Sequence, residues 1–278
     1  MKRYLPLILL AACAPASAQD SDGATRIAER NLAEFKALLP GVYTNEEQHY
    51  FQGELDLPED THLPRLTLTI EPDGDGFVAR TASASGRTTE ARLSYRVENG
   101  RIVSTERRAG QPDCSRVFTR AFEQFRGRAV AETETCGGEV VADRDGFSFG
   151  SPANPFLFRR ASAFTCWVAP QKPDGSYGFV NDVELHDAGG RAWVEGEDFD
   201  TVGLRMRKVS WPAGNNRDSL VLYVHRADDT EWQQAESYAW TSPDEPRIGM
   251  NLRWVQVSCT RGADGAMPTI NLETGSGR

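Results

Sequence analysis

Beyond residue 65 the apolar positions of this chain fall two apart. In RLTLTI, Leu66, Leu68 and Ile70 alternate with threonines, the period of a strand with one buried face. RLSYRVENGRIVSTE is two such runs joined by Asn99-Gly100, a pair suited to the two positive-φ positions of a type I′ hairpin turn. DGDGF at 73–77 and DRDGF at 143–147 mark further tight turns. Strand-like runs continue at 117–122, 125–130, 156–160, 164–168, 192–194, 204–209, 220–225, 238–240 and 252–259. So many short strands between Gly, Asp and Pro turns predict an antiparallel barrel or sandwich. One stretch alone has the helical period: Ala28, Leu32, Phe35 and Leu39 recur at three- and four-residue steps, predicting an amphipathic helix over 24–39 that stops at Pro40-Gly41.

The beginning of the chain reads as an address. Lys2-Arg3, an apolar run from Tyr4 to Ala12 and the small-x-small end Ala16-Ser17-Ala18 form a secretory signal over residues 1–18, so the mature protein is expected to be exported to the periplasm. LAAC at 10–13 also fits the pattern cut before a lipidated cysteine, and a membrane anchor through Cys13 is the alternative. No other run approaches the roughly 18 apolar residues of a spanning helix. Cleavage after Ala18 leaves Cys114, Cys136, Cys166 and Cys259. In an oxidising compartment an even count reads as disulfides, and with no C-x-x-C or H-x-x-x-H spacing a metal site is not expected. Cys114 and Cys136 flank one predicted hairpin, which pairs them and leaves Cys166 with Cys259; the other two connectivities stay open. A formal charge of −9 argues against nucleic acid, whose phosphates call for clustered Lys and Arg.

Three pieces of the chain, in order, resemble the CpeT/CpcT family of phycobiliprotein chromophore lyases. LPGVYTNEEQ is similar to that family's Gly-x-(aromatic)-x-Asn-x-x-Gln entry through Gly41, Tyr43, Asn45 and Gln48. CSRVFTRAFEQFRGRAVAETETC resembles its pair of cysteines enclosing a Phe-x-Gly, here Phe125 and Gly127. FGSPANPFLFRR resembles its closing motif, with Phe149 in place of Trp and Asn154 in place of Gly. The resemblance covers about 32–160. It implies a calycin or lipocalin-like antiparallel β-barrel over 20–160, reached through the N-terminal helix. Residues 161–261 would form a β-rich extension packed on the barrel, or a second small domain, and 262–278 a disordered tail. The implied activity is that of a lyase that binds a linear tetrapyrrole, a bilin, and adds it to an acceptor cysteine, with no further cofactor. Tyr43, Tyr50 and inward phenylalanines would form the cavity wall, Arg65, Arg116, Arg120 and Arg159 would meet the propionates, and Glu46 or Glu47 would protonate the bilin. Export, and the reduction of the family's arginine- and tyrosine-rich segment to LPRLTL, set beside this a non-catalytic periplasmic carrier of an apolar small molecule.

The candidate ligand-binding residues are therefore Tyr43, Asn45, Glu46, Gln48, Arg120 and Arg159. Asn45 and Gln48 have a competing role, bonding stray backbone groups where the helix gives way to the barrel; Tyr43 is expected to be the ligand contact. The acidic run Glu195, Glu197, Asp198 and Asp200 lacks calcium-loop spacing and reads as a solvated loop. His49, His62, His186 and His225 are scattered and compose no triad.

Overall fold

A computed structural model describes residues 17–133, 136–151, 153–211, 217–226, 235–263 and 266–268. Most of the signal segment with Cys13, and most of the tail, lie outside the described residues. Helix α1 (Ser17–Leu38) leads into β1 (Gly41–Thr44). The chain then forms a second helix, α2 (Glu46–Glu54), and a 3₁₀ turn at Glu59–Thr61 before the barrel continues. Its strands are β2 (Leu66–Asp73), β3 (Gly76–Ser83), β4 (Thr88–Glu98), β5 (Arg101–Arg107), β6 (Cys114–Ala121), β7 (Gln124–Ala129), β8 (Glu139–Ala142), β9 (Gly146–Ser151) and β10 (Asn154–Arg160). Each pairs antiparallel with its sequence neighbour, except that β1 pairs with both β2 and β10 and so closes the barrel. This is the mostly β, calycin-like barrel with an N-terminal helix that the two-residue period and the family resemblance predict. The Asn99-Gly100 hairpin also forms as expected, with φ of 50° and 69° at the two turn residues.

α2 departs from the sequence reading, which contains a single helix. EEQHYFQGE is almost wholly polar, so it carries no apolar stripe to reveal its period. It folds as a helix because Glu46 and Glu47 complement its N-terminus and the Thr44 hydroxyl accepts from the Glu46 amide at 3.0 Å.

After β10 the chain builds β11 (Ala163–Pro170), β12 (Val180–His186), β13 (Ala188–Val194), β14 (Val202–Val209), β15 (Ser219–Arg226), β16 (Ser237–Thr241), β17 (Arg247–Asn251) and β18 (Val255–Arg261). They form two four-stranded sheets, β12-β11-β18-β17 and β13-β14-β15-β16, around one core that includes Val168, Leu204, Leu222 and Val257. The barrel has its own core around Phe35, Phe118, Phe125 and Phe158. A small third cluster joins the two: Phe51 of α2 packs with Val209 and Val221.

Candidate ligand-binding site

α1 stoppers one end of the barrel. Its period places Phe35 and Leu39 on the inward face, and the Phe35 ring meets Tyr95 edge-on at 5.3 Å and Phe118 and Phe125 at 4.8 Å each. Above this floor the lumen holds a cavity of about 530 Å³, within the range of small-molecule sites. Leu68, Ala79, Ala91, Val140, Phe147 and Phe149 supply apolar wall, and burial raises the pKa of the Tyr95 phenol, keeping it neutral. The opposite end is polar, with Thr81, Thr89, Glu106, Arg108, Arg116 and Ser151. Arg108 and Glu106 form an ion pair at 2.5 Å. Arg116 follows the buried Cys114 by two residues on β6 and shares the inward face with Phe118. It donates only long bonds, to the Gly137 carbonyl at 3.4 Å and Cys136 Sγ at 3.9 Å.

Of the cations that the family resemblance implies for the propionates, Arg116 is the one in this lumen. Arg120 sits at the α1 end, ion-paired with Glu34 and donating to Asn31 Oδ1 at 3.2 Å. Arg159 pairs with Glu47 at 2.5 Å, and Arg65 with Glu46 at 2.7 Å.

Tyr43, Asn45 and Gln48 bond to backbone. The Tyr43 hydroxyl donates to the Leu38 and Leu39 carbonyls at 2.8 and 3.1 Å; the residue is fully buried, and burial pushes its pKa up to about 12. Asn45 completes the seam where β1 stops: its Nδ2 donates to the Pro64 carbonyl at 2.9 Å and its Oδ1 accepts from the Leu66 amide at 2.6 Å. Gln48 does the same for the other neighbour. Because β1 reaches only Arg159 and Arg160 of β10, the preceding residues lack a strand partner on that side. The Gln48 amide group supplies one, donating to the Pro155 carbonyl at 2.8 Å and accepting from the Leu157 amide at 3.0 Å.

Glu46 and Glu47 point away from the lumen, toward the C-terminal sheets. Glu46 is buried and ion-paired with Arg65, with Arg191 at 3.1 Å and with Arg205 at 2.9 Å. Burial alone would raise its pKa, but these three guanidiniums and Arg207 together hold it below the ordinary value. Gly189 is required here: its φ is +89°, and a Cβ on it would lie 2.5 Å from Glu46 Cγ. Glu47 accepts from the Ser210 amide and pairs with Arg159; burial nevertheless raises its pKa. Beside them His186 is driven down to about 4, chiefly by burial, with Glu46 opposing and Arg65 and Arg191 reinforcing. A cleft of about 280 Å³ opens from this cluster between α2 and the sheets, reaching His49 and His62. The sequence does hold a signal for the cluster: Arg205 and Arg207 stand two apart in a strand that is otherwise apolar or small until Lys208.

Both cysteine pairs lie at bonding distance as paired from the sequence, Cys114 with Cys136 and Cys166 with Cys259. Among the described residues no group of three or more His, Cys, Asp or Glu is gathered as for a metal ion, and no helix is long and apolar enough to cross a membrane. Asp198 of the acidic run pairs with Lys172 at 2.5 Å. No protein-family model, curated protein or solved structure matches the chain.

Proposed function

We propose that this is a non-catalytic carrier, exported to the periplasm, that holds an apolar small molecule in the lumen of its barrel. One observation carries the reading: a closed barrel, stoppered at one end by α1, keeps about 530 Å³ of largely apolar space. Interiors of comparable barrels are ordinarily filled by side chains unless they hold a ligand. Two disulfides suit an oxidising compartment. The carrier is preferred to a bilin lyase because Glu46 and Glu47, the acids a lyase would use, are committed to arginines outside the lumen.

The test is a neutral apolar fluorophore such as N-phenyl-1-naphthylamine titrated into the mature protein. One saturable site is expected, lost in Ala91→Trp, which fills the lumen. Absence of binding to the wild-type protein would overturn the carrier. Incubation with a bilin and a cysteine peptide, followed by acid, separates the two functions: an acid-stable bilin adduct on the peptide would replace the carrier by a lyase.

A further inference from the structure

We infer that the lumen is built for an amphiphile with one acidic head, a long-chain monocarboxylate, whose head group pairs with Arg116. This rests on the lumen being a ligand site. Arg116 is 9% exposed and stands on the inward face of β6, at the polar end of the lumen, with the apolar wall beyond it. Guanidinium stays protonated in proteins, so it cannot escape burial by losing its charge. Burial lowers its pKa and the Glu106 charge opposes that shift, yet the Glu106 carboxylate is engaged by Arg108 at 2.5 Å. None of the ion pairs among the described residues includes Arg116, and its two hydrogen bonds, at 3.4 and 3.9 Å, are long. A buried cation that must share the Glu106 charge with Arg108 is incompletely compensated, and incomplete compensation of a buried charge is costly. A ligand carboxylate would offset that cost, accept two parallel N–H bonds from the planar fork and be fixed in orientation by them.

The count of charges sets the ligand class. Two acidic groups would require two uncommitted cations at the mouth. Among the described lumen residues Arg108 is paired and Arg116 is not, so one acid is matched and a second is left dry. The wall that follows, Leu68, Ala79, Val140 and Phe149, offers no further charge, which suits a hydrocarbon body. The disulfide at Cys136 lies against the guanidinium and ties down the Gly137-Gly138 segment at the mouth.

The experiment compares hexadecanoate with hexadecanol by displacement of the neutral naphthylamine probe, in wild type, Arg116→Met and Arg116→Lys. In the wild-type protein the acid is expected to bind about tenfold or more tightly than the alcohol, the size of a charge-assisted contact. Arg116→Met should abolish that preference with probe and alcohol affinity unchanged, and Arg116→Lys should restore part of it. Arg116→Met should also melt no lower than wild type, since it removes an unpaired charge. Equal affinity for acid and alcohol in a wild-type protein that still binds the probe would overturn the inference and leave the carrier standing. Failure of the probe itself to bind would instead remove the lumen site and the inference with it.

Discussion

Arg160 lies over the ring of Tyr43, its Cζ 4.9 Å from the ring centroid, and both side chains turn their polar ends to the C-terminus of α1. Arg160 donates to the Leu38 and Pro40 carbonyls and to the Tyr43 hydroxyl, which in turn donates to Leu38 at 2.8 Å. Helix ends leave carbonyls without intrahelical partners, and a cation is favoured there. The last strand of the barrel thus holds the helix that stoppers it. Tyr43→Phe should cost about 1–3 kcal/mol in denaturant unfolding, because the Leu39 carbonyl loses its side-chain donor and Arg160 loses an acceptor while Leu38 keeps the Arg160 bond, and should leave ligand affinity unchanged. A ligand-specific loss without a change in stability would return Tyr43 to the binding site.

Glu46 is the electrostatic link between barrel and sheets. It offers a carboxylate from α2 to Arg191 of β13 and Arg205 of β14. Glu46→Ala leaves buried guanidiniums without their shared counter-charge, a defect worth about 3–5 kcal/mol. Calorimetry should show a lower melting temperature and a split into two transitions, since the two halves have separate cores. A single transition at the wild-type temperature would mean the link carries no stability.

The barrel was legible in the sequence because its strands have one wet and one dry face, so Leu66, Leu68 and Ile70 announce themselves at every second position. α2 was not, because a polar nine-residue helix with a single buried aromatic, Phe51, leaves no periodic trace. The polar stretch after Gly41 offers candidate side chains in the sequence but not their partners. Its roles depend on where β1 stops relative to β2 and β10, a long-range register that local pattern does not encode. Arg116 is a further case: the sequence offers it among many arginines, and only closure of the barrel distinguishes it from Arg120, four residues along the same strand at the other end.

The disulfides should differ in what they stabilise. They close loops separated by 22 and 93 residues, for which chain entropy gives about 3 and between about 4 and 5 kcal/mol. Alkylation of the native protein should detect no free thiol at the four positions by intact mass. Cys166→Ala/Cys259→Ala should destabilise the C-terminal sheets more than Cys114→Ala/Cys136→Ala destabilises the barrel. The reverse order would show that local packing outweighs loop closure here.

Acid should destabilise the protein through His186. Its folded pKa of about 4 lies below the ordinary 6.5, so between these values the unfolded chain binds a proton that the folded one refuses. Its contribution to stability is present above about pH 6.5 and is lost as pH falls toward 4, by on the order of 3 kcal/mol. Glu46 has a lowered pKa as well, so its contribution is lost in the same direction, at more acidic pH. Urea unfolding of wild type and His186→Gln across pH 4–7.5 should give a shallower slope for the variant. Parallel slopes would assign the acid sensitivity elsewhere.

Asn45 and Gln48 each stand in for a strand residue, and the barrel seam should depend on both. β1 is four residues long, too short to cover β2 and β10 along their lengths, and the chain turns into α2 where the ladder would otherwise continue. Asn45 extends the β2 side through Pro64 and Leu66, and Gln48 serves the β10 side through Pro155 and Leu157. Asn45 is fully buried, so Asn45→Ala leaves one backbone donor and one acceptor without partners and should cost about 2–4 kcal/mol; Gln48→Ala, nearer solvent, should cost less. Amide hydrogen exchange is the discriminating measurement. It should quicken at Leu66 in Asn45→Ala and at Leu157 in Gln48→Ala, each without spreading to the opposite side of the barrel at β6. Unchanged protection at both amides would mean that the strands hold the seam and the two side chains merely decorate it.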